Sequence, residues 1–212
     1  MSRFFKSVAA AGRSVGRMTS AQPTTTISAL LAAAADRAVP VVRGVRDDQL
    51  EAPTPCADYT VRDLLNHLFH IVIGFTVRAA KQEFDFRTAP DHLQPGWRDR
   101  FPEVAARLVR AWAAPGAEEG TSGPLNMPAA TVGRLALLDL TIHPWDLARA
   151  TGQEFTPNEA GVRELEPHVA QTAPMARQRN VFGEPVTVPA SASPFARLLG
   201  RTGRDPHWQP PR

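Results

Sequence analysis

The chain has a single cysteine, Cys56, in 212 residues. No disulfide can close within it, and one thiol suits a reducing compartment, so the expected location is cytoplasmic. Aromatic residues are scarce at 7 %, with one tyrosine, which argues against a β-sandwich, whose strands draw on aromatic and β-branched side chains. No apolar run approaches the roughly 20 residues of a membrane-spanning helix. Near the start, the apolar stretch from Val8 to Ala11 is too short for a secretory core. Acidic residues are missing from residues 1–22, which hold Arg3, Lys6, Arg13 and Arg17. That gap makes the formal charge of +3 and the pI of 9.7 misleading. Beyond the head, the chain carries 20 basic and 21 acidic residues. So balanced a body offers no basic face for nucleic acid and no polybasic patch for a membrane. Residues 1–22 read as a disordered basic extension. Met18 is an alternative start, and a peripheral membrane contact through Phe4 and Phe5 is set aside.

Hydrophobic content of 43 % and charged content of 21 % are those of a globular chain. The expectation is one domain over residues 23–212, with an irregular C-terminal tail. Alanine is abundant, and the apolar residues recur at helical spacing. Ile27, Leu30, Leu31, Ala34, Ala38 and Val42 predict a helix from about Thr25 to Arg43, weakened at its end by Pro40 and Gly44. Thr60-Val-Arg-Asp63 is a capping box, and Val61, Leu64, Leu65, Leu68, Val72 and Phe75 continue a second helix to about Lys81. A third helix is expected over Arg98 to Trp112, and a fourth over Ala129 to Ala150, ended by Gly152. A fifth is expected over Pro157 to Thr172, with Pro157 at its first position. Residues 82–97 and 114–128 read as loops, Val181 to Pro189 as at most a short extended pair, and Arg204 onward as a draped or disordered tail. Four longer helices with long connectors make an all-α four-helix bundle with small C-terminal additions.

The fourth helix carries the most informative segment. Asp139 and His143 stand four residues apart in an apolar run, hence one turn apart on one face. His67 sits in the apolar run of the second helix. Two imidazoles and a carboxylate from facing helices are the parts of a metal site with open positions. The same residues also suit a hydrogen-bonded core pair, because spacing alone is a weak signal.

Two motifs carry a family resemblance. Thr54-Pro-Cys-Ala-Asp-Tyr-Thr-Val-Arg-Asp-Leu-Leu-Asn-His67-Leu resembles the opening of actinobacterial proteins related to the N-terminal domain of mycothiol-dependent maleylpyruvate isomerase. Asp139-Leu-Thr-Ile-His143-Pro-Trp-Asp-Leu-Ala-Arg-Ala-Thr-Gly152 resembles their second motif, and Phe182 to Pro189 and Leu199 to Trp208 resemble the tail of a short subgroup. The resemblance spans about residues 25–208. It implies the DinB-like fold, an up-down-down-up four-helix bundle, and a divalent metal on His67, Asp139 and His143. Zn²⁺ suits that set best, with Fe²⁺ or Ni²⁺ as alternatives. It further implies mycothiol as a co-substrate, whose thiolate at the metal would attack an electrophile. The expected partners are thus a small-molecule thiol and an electrophile, with a homodimer as the assembly allowed. The competing reading is a non-enzymatic metal- or ligand-binding bundle.

Three departures from the family pattern stand out. Asp139 takes the place of a longer Glu or of a His. Pro144 follows His143, which predicts a kink or π-bulge at the site. Maleylpyruvate isomerase activity is not carried over, because a further C-terminal domain contributes to it and 212 residues leave little room.

The neighbouring residues receive blander expectations. Asp146 and Arg149 should form a surface or helix-end ion pair with each other. His70 should pack rather than ligate, Cys56 should be a packed and inert thiol, and Trp97 and Trp145 should serve the core. Asp63 should cap the second helix, and His92, His168 and His207 receive no role.

Overall fold

The computed structural model describes residues 25–211. The basic extension expected over residues 1–22 lies outside the described residues. Six α-helices appear among them: α1 (Ile27–Gly44), α2 (Val61–Ala79), α3 (Trp97–Trp112), α4 (Ala129–Thr151), α5 (Glu159–Gln178) and α6 (Pro194–Arg201). The loop expected at 114–128 contains a two-residue antiparallel ladder, in which Thr121 pairs with Pro128 and Ser122 with Met127. None of the described helices is long and apolar enough to cross a membrane.

Local signals set the helix starts. Thr26 Oγ1 accepts from Ala29 N at 3.3 Å to cap α1. At α2 the capping box closes both ways: Thr60 Oγ1 accepts from Asp63 N (3.2 Å), and Asp63 Oδ2 accepts from Thr60 N (3.1 Å). The next two donors of α2 reach back to the preceding connector, Val61 N to Ala52 O and Arg62 N to Leu50 O. All the orphan N–H groups of this turn thus find protein partners. At α5 the expectation shifts: the cap is Asn158, whose side chain accepts from Gly161 N, and Pro157 lies outside the helix. The helix also runs past Thr172 to Gln178.

Contacts between helix ends fix the bundle's directions. The starts of α1 and α4 meet the end of α3, where Gly133 lies against Ile27 and Trp112. At the other end, Gln153 beyond α4 donates to Val41 O of α1, and Arg98 of α3 donates to Val45 O. Ser122, just before α4, donates to Arg78 O at the end of α2. Hence α1 and α4 run one way and α2 and α3 the other, which is the up-down-down-up order. The helices pack in the ring α1–α3–α2–α4, and the long connector between the parallel α2 and α3 is what this order demands. The core between them is built from Leu31, Leu64, Leu68, Phe69, Phe101, Leu108, Leu137 and Leu140, all fully or almost fully buried. Trp97 and Trp145 are also core residues.

The bulge expected at Pro144 is absent. Helix α4 passes through Pro144 without a bulge, helical at every residue from Ala129 to Thr151. Every residue from Leu140 to Ala148 is buried, and packing around so enclosed a helix outweighs the roughly 3 kcal/mol that an interior proline costs. The C-terminal additions are irregular apart from α6: segment 181–189 forms no strand, α6 is pinned on α5 by Arg197–Glu166 (2.7 Å), and residues 204–211 lie against the bundle, where Arg149 donates to Trp208 O. Gly203 has φ +84°, and a Cβ there would fall 2.8 Å from Gly183 Cα. This crossing of two glycine backbones directs the next residue, Arg204, into the bundle.

Candidate metal centre

A cavity of about 330 Å³ opens beside α4. His67, Asp139 and His143 all line it, together with Cys56, Tyr59, Ile142, Phe182 and Arg204. Each arrives for a local reason. The capping box marks the start of α2, and the helix carries His67 seven residues on from Thr60. Thr54 Oγ1 donates to the carbonyls of Cys56 and Tyr59 and accepts from Cys56 N, folding the turn that holds both at the rim.

His143 is the hub. Its ring stands edge-on to His67, with centroids 5.1 Å apart. Its Nε2 lies 3.6 Å from Asp139 Oδ1, and its Nδ1 lies 3.0 Å from Asp146 Oδ2. A carboxylate against Nδ1 selects the tautomer with hydrogen on Nδ1, which leaves the Nε2 lone pair toward Asp139 and the cavity. Asp146 is wholly buried and accepts from Arg204 Nη2 at 3.1 Å. The sequence expectation for it is therefore corrected: Asp146 pairs with His143 and Arg204, not with Arg149, which reaches the Trp208 carbonyl instead. Arg204 was missed entirely. Its only sequence trace is its place in the Leu199 to Trp208 stretch, because a partner 58 residues away leaves no spacing signal.

Burial dominates the electrostatics. It pushes His67 down to about 3, helped by the neighbouring His143, so this imidazole is neutral and offers a lone pair. Burial raises Asp139, opposed by His143 and Arg204; 29 % of its side chain remains open, facing the cavity. Burial pushes the Cys56 thiol up to about 11 against the pull of Arg204. The high value accords with a thiol that is unreactive by itself.

Two donor sets therefore meet at His143. On the Nε2 side stands Asp139, with the His67 ring edge-on to His143; among the described residues the ligand atoms of His67, Asp139 and His143 do not all come within 4.8 Å of one another. On the other, ligand atoms of Cys56, His143 and Asp146 lie within 4.8 Å of one another, a group that could hold an ion. His70 belongs to neither. It is buried, its Nε2 lies 2.9 Å from Asp85 O, and its Nδ1 faces His92, tying α2 to the 82–96 connector.

Residues 31–148 match the model of the mycothiol maleylpyruvate isomerase N-terminal domain, a DinB-like helical domain. The chain belongs to this family. It is also similar to two uncharacterized proteins of Mycobacterium tuberculosis, MT0763 of strain CDC 1551 and Rv0738 of strain H37Rv. Each is 32 % identical over 185 residues, which cover 81 % of this chain and 95 % of the relative. No solved structure matches the chain. The matched span contains His67, Asp139, His143, Cys56 and Asp146 but not Arg204, which the C-terminal additions supply.

Proposed function

We propose that the chain is a divalent-metal-binding member of this family, with His67, Asp139 and His143 as protein ligands and open positions for a small thiol. The observation that carries this reading is the hydrogen bond from His143 Nδ1 to Asp146, which presents the Nε2 lone pair to the cavity beside Asp139. The donor set fits such an ion: a neutral His67, an oriented His143 and a carboxylate with an open face suit Zn²⁺, and also Fe²⁺ or Ni²⁺. Bound there, the ion would supply Lewis acidity and lower the pKa of a thiol co-substrate such as mycothiol.

The remaining work falls to the chain. Asp146 holds the ring of His143, and Leu138, Ile142 and Phe182 keep water from the cavity wall. Tyr59, tilted against His67 at 5.3 Å, keeps that imidazole facing inward. A thiol delivered to this cavity would give up its proton and form a sulfur–carbon bond with an electrophile, whose leaving group departs with the bonding pair. This makes the protein a thiol S-transferase of the cytoplasm. A second reading, a metal- or ligand-binding bundle without turnover, is favoured by the volume of about 330 Å³, small for two substrates at once.

The test is metal analysis of tag-free protein. Close to one equivalent is expected, lost in His143→Ala and kept in His70→Ala. Less than about a tenth of an equivalent after reconstitution would sink the metal-dependent transferase and leave only the ligand-binding form of the second reading, since a three-residue site retains its ion. With metal present, transfer of mycothiol but not glutathione to an activated arene supports the transferase, and inactivity with every thiol supports the binding module.

A further inference from the structure

Arg204 is the one arginine among the lining residues of the metal-centre cavity, and it arrives from outside the family-matched span. Its Nη2 lies 3.1 Å from Asp146 Oδ2 and 3.6 Å from Cys56 Sγ, and its Nε lies 3.4 Å from Asp146 Oδ1. The Thr202 carbonyl accepts from Nη1 at 3.0 Å and fixes the plane of the guanidinium. The group that touches the thiol and both carboxylate oxygens is therefore itself a cation. Without it, Cys56, His143 and Asp146 would be a soft-sulfur, imidazole and carboxylate set of the kind that binds Zn²⁺ or Co²⁺. A wholly buried carboxylate needs a positive partner, and a guanidinium and a divalent ion at the same oxygens repel each other.

We propose that Arg204 is a tethered cation that keeps metal off the Cys56 side of His143 and so assigns the ion to the Nε2 side, which bears Asp139. Arg204 is then a positioning residue supplied by the C-terminal additions. Its first role, exclusion, stands on the geometry alone; its second, assignment, rests on the metal centre proposed above.

Co²⁺ titration of the full chain at alkaline pH tests it, because only a cysteine ligand produces a near-ultraviolet thiolate-to-cobalt band. The wild type shows no such band. Arg204→Met gains it, Arg204→Met with Cys56→Ser loses it again, and Arg204→Lys, which keeps the charge, resembles the wild type. Arg204→Gln carries the same expectation as Arg204→Met should the methionine variant not fold. A band in the wild type, or a folded Arg204→Met or Arg204→Gln without one, overturns the proposal. A wild-type measurement adds an independent check: saturating Zn²⁺ should leave the alkylation rate of Cys56 unchanged, and a slowing of about tenfold or more would overturn the exclusion. A wild type that binds no Co²⁺ at all contradicts the metal centre while leaving the gain of the thiolate band as the test of exclusion.

Discussion

Arg204 Nη2 stands 3.1 Å from Asp146 Oδ2, and that contact joins the C-terminal tail to the helix that carries His143. Both side chains are buried, Asp146 completely. A pair so placed is expensive to break from one side, because the survivor remains as an uncompensated charge. Asp146→Asn and Arg204→Met should each cost about 3–5 kcal/mol in urea unfolding. The double variant Asp146→Leu with Arg204→Met should cost less than the sum of its singles, with a coupling of about 2 kcal/mol. Strict additivity would show that the contact does not hold the tail in solution.

The two buried histidines of α2 and α4 should separate cleanly. His70→Ala removes the partner of Asp85 O and loosens the 82–96 connector, at about 1–3 kcal/mol. Metal content should not change. His143→Ala should lose the metal, and Asp146→Asn should weaken its affinity by about 10–100-fold through the misaligned ring. Calorimetric metal titration beside thermal unfolding distinguishes the two patterns.

His168 of α5 carries a buried Nε2 with no hydrogen-bond partner among the described residues. Burial, and then Arg134, lower its pKa from 6.5, against Glu164. The folded state therefore binds fewer protons at this site than the unfolded chain just below pH 6.5, so its contribution to stability is full above that value and falls as the solution is acidified. His168→Gln should flatten the decline of stability below pH 6.5, measured as the difference between the two unfolding curves. Parallel curves would refute the assignment.

Gly133 sits where the first turns of α4 meet the start of α1 and the end of α3. A Cβ there would fall 2.8 Å from Ile27 Cγ2 and 2.9 Å from Trp112. Overpacking should outweigh the gain of about 1 kcal/mol from removing a helix glycine. Gly133→Val should therefore lose about 2 kcal/mol, read from the denaturant midpoint. An unchanged midpoint would mean that α1 and α3 part more easily than their packing implies.

At the start of α2, Thr60→Ala removes the acceptor for Asp63 N and should cost about 1 kcal/mol. The register of His67 is held by the whole helix, so metal content should not follow.

Much of the frame was legible because its causes are local. The capping box at Thr60 and Asp63 closes as the sequence implies, and Gly152 ends α4 with φ +71°. The stripe of Leu64, Leu65 and Leu68 is buried. The i, i+4 spacing of Asp139 and His143 likewise brings both to one side of α4. Pro144 misled because propensity is counted residue by residue, whereas the packing that overrides it surrounds α4 from several helices. Asp146 misled because Arg149 is its nearest basic residue in sequence, while the side chain turns the other way, toward His143 and a tail 58 residues on.

The order of residues alone thus settled the first four helices, the cap at Thr60, the family and three side chains that line one cavity, since each depends on spacing within a turn or on a contiguous motif. Only the tertiary structure decided how His143 is held and which of its nitrogens is free. That choice rests on Asp146, which Arg204 holds from where Gly183 and Gly203 cross, and a contact between two distant segments has no period or spacing by which a sequence could announce it.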